Sequence, residues 1–126
     1  MLLIKATVKQ SNIHGLGLFA YEDIPKGTQI WKFSPGLDLE ISKTDFEKLN
    51  QAEKDIILFY GFLSKKTDCY HLSFDNVRFM NHAKRGNVLI DQTVDDVEYP
   101  LIAGQDIRVG EELIQNYFEF DEGHQM

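Results

Sequence analysis

Short apolar runs, each closed by a turn signal, punctuate most of this chain, and that punctuation limits the fold more than any other feature. The runs "LLIKATV" (2–8), "LGLFA" (16–20), "TQIWKF" (28–33), "CYHLSF" (69–74), "NVLI" (87–90), "EYPLIA" (98–103) and "EELIQNYF" (111–118) read as strands. Between them "PKG" at 25–27, "SPG" at 34–36, "RGN" at 85–87 and "RVG" at 108–110 mark turns. One segment breaks the rhythm. In "SKTDFEKLNQAEKDIILFYG", Phe46, Leu49, Ala52, Ile56 and Tyr60 recur at three- and four-residue steps, which predicts one amphipathic helix. Ser42 is placed to cap its start, with Asp45 three residues on, and Gly61 to end it. A chain with so little helix cannot be a doubly wound α/β fold, which needs several crossover helices. The expected class is mainly β with one or two short helices.

At 126 residues and 43% hydrophobic content, the chain suits one domain around one core, and residues 1–126 are expected to form it. Cys69 is the only cysteine, so an internal disulfide and a cysteine zinc cluster are excluded. His14, His71, His82 and His124 show no ligand spacing, and no metal is expected. No nucleophile motif of the Gly-x-Ser-x-Gly kind is present. The opening "MLLIKATVKQ" is too short for a secretory signal, and no run has the length of a membrane span. The expected setting is intracellular: cytoplasmic in a bacterium, nuclear in a eukaryote or when acting in a host cell.

Charge is distributed unevenly within the formal net of −7. Residues 1–90 hold twelve Lys/Arg against ten Asp/Glu, whereas residues 91–126 hold only Arg108 against ten acids. This argues against direct nucleic-acid binding, which needs a basic face. It suits a basic protein or peptide partner steered by an acidic surface, or simply a solvated acidic tail.

Three stretches carry candidate chemistry. "NIHGLGLFA" (12–20) places Gly15 and Gly17 one residue apart, which serves either a tight turn or a close backbone approach to a ligand. "DNVRFMNHAKRGN" (75–87) sets Asn81 and His82 directly after Phe79–Met80. Buried there, they need partners; the Asn amide can hold a crossing backbone, grip a polar ligand or cap a turn. "AGQDIRVGEELIQNYFEFD" (103–121) brings a turn into a strand that ends at Tyr117, with Phe118 and Phe120 beyond. A tyrosine at a strand end either packs or works chemically.

In this order the stretches resemble the SET domain of protein-lysine methyltransferases. "IHGLGLFAYEDIPKGTQIW" resembles the family's opening, "RFMNHAKRGN" its RFxNHSxxPN motif, and "DIRVGEELIQNYF" its closing GEELxxDY motif. The resemblance covers most of residues 5–120, with 36–70 as a variable insert and 111–126 as closing strand and tail. It implies a β-clip fold in which the Asn-His segment and the closing strand form a pseudoknot. It also implies S-adenosylmethionine as methyl donor and a lysine in a basic, histone-like or ribosomal protein as acceptor. By the same resemblance Gly15, Leu16 and Gly17 would lie against the cofactor, with Asn81 at its methionine end and the His82 backbone at its adenine. Tyr117 would be the catalytic tyrosine and touch both substrates, while Phe118 and Phe120 would stack on adenine. Tyr60, Phe79 and Gln115 would line the lysine channel.

The sequence departs from the family pattern at Ala83 for Ser, Gly86 for Pro, Asn116 for Asp and Gln115 for an aromatic residue. Gly86 is expected to loosen its turn by adding backbone freedom. A minimal, stand-alone SET domain without the family's flanking cysteine modules is expected, which would leave room for a homodimer to replace them. It also leaves a rival reading, a SET-like module that binds a peptide without transferring methyl groups.

Overall fold

The computed structural model describes residues 1–116. An antiparallel hairpin of β1 (Ala6–Gln10) and β2 (Leu16–Ala20) sets Ala6 opposite Ala20 and Gln10 opposite Leu16. A five-stranded sheet runs in the order β3 (Gln29–Trp31), β9 (Leu101–Ala103), β8 (Val88–Ile90), β10 (Ile114–Asn116), β7 (Asn81–Ala83). A third sheet orders β4 (Asp38–Ile41), β6 (Tyr70–Ser73) and β5 (Phe62–Leu63). Among the described residues the only α-helices are α1 (Lys43–Glu47) and α2 (Gln51–Tyr60), so the mainly β class holds. No helix among them is long and apolar enough to cross a membrane.

The expected single helix is broken in two, and the break has a local cause. Asn50 is extended (φ −74°, ψ 169°) and its side chain accepts from the Glu53 amide at 2.8 Å, while Glu53 accepts from the Asn50 amide at 3.1 Å. That reciprocal pair is a capping box, and it starts a new helix instead of continuing the first. Ser42 caps α1 as expected, accepting from the Asp45 amide at 3.1 Å. The restart changes the buried face. Phe46 is buried, but Ala52 and Ile56 are exposed, and Ile57 takes the inward position on α2. Gly61 does end α2, though in an extended conformation and not a left-handed one (φ −107°). Glycine is needed there because a Cβ would stand 2.4 Å from the His71 carbonyl oxygen.

Strand edges shift by a few residues from their sequence positions, and β4, β5 and β7 had no counterpart in the apolar runs. The main core gathers Leu18, Ile24, Ile30, Trp31, Phe33, Met80, Val88, Leu101, Ile107 and Leu113. No buried member of this cluster comes from residues 36–70. The insert instead packs on itself, with Phe46 stacked on Tyr70 at 4.1 Å between ring centres.

Candidate functional site

The site begins at the turn between β1 and β2. The Ser11 amide donates to the Gly15 carbonyl at 2.8 Å, and Gly15 adopts φ +47°, where glycine avoids the cost of a side chain. Space is open where a Gly15 Cβ would stand. Gly17 serves a different purpose. It is buried, and a Cβ there would meet Glu112 Oε2 at 2.4 Å. The close approach at Gly17 is therefore made by the chain's own carboxylate.

Residues 110–113 run along β2, with the Leu113 amide donating to the Leu18 carbonyl at 2.8 Å and Gly110 to Ala20 at 2.8 Å. This backbone pairing brings Glu112 beside Gly17. Asn81 and His82 belong to β7, not to a loop; β7 pairs in parallel with β10, with Asn81 opposite Ile114 and His82 opposite Gln115. Asn81 Nδ2 lies 3.2 Å from the His14 carbonyl, 3.2 Å from the Leu16 carbonyl and 2.9 Å from Glu112 Oε2. Of the roles open to it in sequence, the Asn amide thus takes up the holding of a crossing backbone.

Asn87 clamps the same crossing. Its Nδ2 donates to the Glu112 carbonyl at 2.9 Å, and its Oδ1 accepts from the Ile114 amide at 2.8 Å. Beside it, Gly86 passes so close to β10 that a Cβ would stand 2.2 Å from the Ile114 carbonyl oxygen and 2.6 Å from the Gln115 carbonyl carbon. Gly86 therefore does not loosen a turn. It permits a backbone crossing that a side chain would block.

These segments open on a cavity of about 790 Å³. Of the residues singled out in sequence, His14, Gly15, Leu16, Asn81, His82, Tyr60, Phe79 and Gln115 line it together, and Gly17 does not. Tyr117, Phe118 and Phe120 lie outside the described residues. Gln115 is only 2% exposed, and its Nε2 has no hydrogen-bond partner. A buried donor without a partner is costly unless a ligand supplies the acceptor. Tyr60 stands edge-on to Phe79 at 5.8 Å, with the Arg78 guanidinium 5.6 Å and 5.0 Å from the two rings. Among the described residues no group of His, Cys, Asp and Glu is arranged to hold a metal.

Sequence reasoning missed Trp31, Phe59, Glu98 and Tyr99, which also line the cavity. Trp31 and Tyr99 fall in strand-like runs and Phe59 in the helical segment, and nothing in their spacing distinguishes a lining residue from a core one. Glu112 and Asn87 sit within the GEEL and Asn-His stretches, where spacing alone carries no sign of their contacts.

Beneath the cavity, Glu98 is 2% exposed and joins the insert to the main sheet. Ser64 Oγ donates to Glu98 Oε2 at 2.5 Å. The buried His71 places Nε2 2.8 Å from Glu40 Oε2 and Nδ1 3.2 Å from Glu98 Oε2, the latter close in charge but poorly aligned as a hydrogen bond. Burial alone would lower the His71 pKa, but the Glu98 and Glu40 carboxylates outweigh it and hold it above 6.5. Phe33 and Phe62 pack on the same imidazole, at 5.0 Å and 5.6 Å between ring centres.

The sequence matches the SET domain family model over residues 15–118, and the chain belongs to that family. Among solved structures it is similar to a Plasmodium falciparum protein provisionally named a histone methyltransferase, at 21% identity and TM-score 0.62, covering 98% of this chain and 97% of that one. It is also similar to Chaetomium thermophilum Polycomb Repressive Complex 2 bound to GSK126, at 24% identity and TM-score 0.66, covering 94% of this chain. The same complex in an autoinhibited conformation bound to S-adenosylmethionine matches at 24% identity and TM-score 0.62. In both cases the chain spans 16% of the matched Polycomb chain. At these identities the likeness is one of fold. No curated protein matches significantly. Family membership supports methyl transfer as the general chemistry of the site.

Proposed function

We propose that this chain transfers a methyl group from S-adenosylmethionine to the side-chain amine of a lysine in a basic protein or peptide, histone-like or ribosomal, inside a cell. The observation that carries the reading is the junction at Asn81. One amide ties the glycine turn to the GEEL segment at the edge of a cavity that also holds Tyr60, Phe79 and the unpartnered Gln115. S-adenosylmethionine supplies an electrophilic methyl group on a positively charged sulfur. The residues present fit such a molecule: open space at Gly15 admits it against the backbone, and Gln115 Nε2 offers a buried donor.

A lysine must attack as the neutral amine, whereas its unperturbed pKa is about 10.4. Tyr60, Phe79, Trp31 and Tyr99 make a weakly polar surround that disfavours the ammonium by desolvation. Arg78 beside Tyr60 and Phe79 adds like-charge repulsion. Positioning of the amine then supplies much of the rate, as in other in-line displacements. Tyr117 is assigned the orienting hydroxyl on its place in the motif. The acids of the last third favour a basic partner by long-range attraction.

The test is calorimetric titration with S-adenosylmethionine, followed by transfer of its labelled methyl group to core histones and ribosomal proteins. Tyr117→Phe and Asn81→Ala run beside the parent. Labelled lysine that disappears in both variants supports the reading. Peptide binding without transfer, or a Tyr117→Phe variant that behaves like the parent, would favour the binding module instead.

A further inference from the structure

Asn81 can meet a ligand with its carbonyl or its amino end, and the choice between them is made by Glu112. We infer that Glu112 is a positioning residue: its carboxylate fixes the Asn81 amide so that Oδ1 is presented to the ammonium group of the methyl donor. The inference rests on the cofactor assignment above.

The backbone at Glu112 is held on two sides, by the bridge to Phe19 and by Asn87 Nδ2 on its carbonyl at 2.9 Å. Its side chain is held as well. Ser11 Oγ donates to the carboxylate, 2.8 Å from Oε1 and 2.9 Å from Oε2, and Gly17 provides the room. An ionised carboxylate only accepts hydrogen bonds. Asn81 Nδ2 faces this carboxylate and the carbonyls of His14 and Leu16, which are three acceptors for two N–H groups. Turning the amide over would aim Oδ1 at two carbonyl oxygens and a negative charge. That orientation is excluded electrostatically. Among the described residues nothing donates to Asn81 Oδ1, so it is the end left for a ligand donor, and an ammonium is the donor a methionine moiety carries.

The test compares the parent with Glu112→Gln, which keeps the shape but can turn an NH₂ toward Asn81. Binding is measured by calorimetry for S-adenosylmethionine and for 5′-methylthioadenosine, which lacks the amino-acid moiety. The expected result is a loss of about tenfold for S-adenosylmethionine, as for one charge-assisted contact, with 5′-methylthioadenosine binding unchanged. In an Asn81→Ala background the same substitution should have no further effect. Ser11→Ala, which leaves the carboxylate present but unanchored, should give a smaller loss in the same direction, and it serves if Glu112→Gln fails to fold. Equal loss for both ligands would make Glu112 merely structural and overturn the inference, as would parental affinity in the variants. A parent that binds 5′-methylthioadenosine but not S-adenosylmethionine would overturn it too. A parent that binds neither would overturn the cofactor assignment with it.

Discussion

The crossing of β7 and β10 with the glycine turn and the insert at residues 36–70 are held together by different physics. At the crossing the chain packs until no further side chain fits: Gly17 abuts the Glu112 carboxylate, and Gly86 abuts the backbone of Ile114 and Gln115. Asn81 and Asn87 then satisfy the backbone groups that such an approach leaves without strand partners. The insert contributes no buried member to the main core. It is fastened by the Ser64–Glu98–His71–Glu40 cluster and by Tyr60 against Phe79. Polar and aromatic contacts of this kind can open locally while a close-packed crossing stays shut. The proposed cofactor contacts fall on the close-packed crossing, and the insert is the part free to vary around it.

The contrast is broken most severely at Gly86. A Cβ there would run into the backbone of β10 from Ile114 to Asn116, which cannot move as a flexible side chain could. Gly86→Ala should cost about 3 kcal/mol or more, or yield no folded protein, by urea denaturation. Next in size is His71→Ala, which leaves the buried Glu98 carboxylate with its Ser64 hydrogen bond but without the imidazole beside it. A loss of about 3 kcal/mol is expected, and it should appear as early opening of the insert, followed by Trp31 fluorescence and hydrogen exchange.

The same histidine gives the insert a pH dependence. Its folded pKa lies above the unfolded 6.5, so its contribution is fully present below pH 6.5 and fades as pH rises through the folded value. Insert opening monitored across that range should become easier toward alkaline pH, and the dependence should vanish in His71→Gln. Asn50→Ala removes the capping box of α2 and should cost about 1 kcal/mol in thermal unfolding. Smallest is Phe59→Ser. Phe59 is 71% exposed, so stability should change by no more than about 0.5 kcal/mol, whereas KM for a protein substrate should rise because Phe59 lines the cavity.

Legibility in the sequence follows the same division. The crossing could be read because its demands fall on residue types with few substitutes. Two glycines one residue apart, an Asn beside a His and a GEEL run stand out against ordinary strand sequence. Even so, only the fold shows that Gly17 makes room for Glu112 and that Gly86 permits a crossing; sequence spacing cannot say which distant backbone will pass. The insert was harder to read. Asn50 sits inside an otherwise helical pattern, and only the reciprocal bond with Glu53 makes it a start instead of an interior residue. Consequently Ile57, one position from the expected face, is the residue that goes in. His71 and Glu98 are 27 residues apart in sequence, and nothing local in either marks a buried ion pair. Tyr117, the residue on which the motif places the chemistry, lies outside the described residues.

Backbone hydrogen exchange with and without saturating S-adenosylmethionine separates the crossing from the insert most directly. Added protection is expected at residues 14–17, 81–87 and 112–116, with exchange in residues 36–70 little changed. Protection confined to the insert, or none at the crossing while the cofactor binds, would contradict that division.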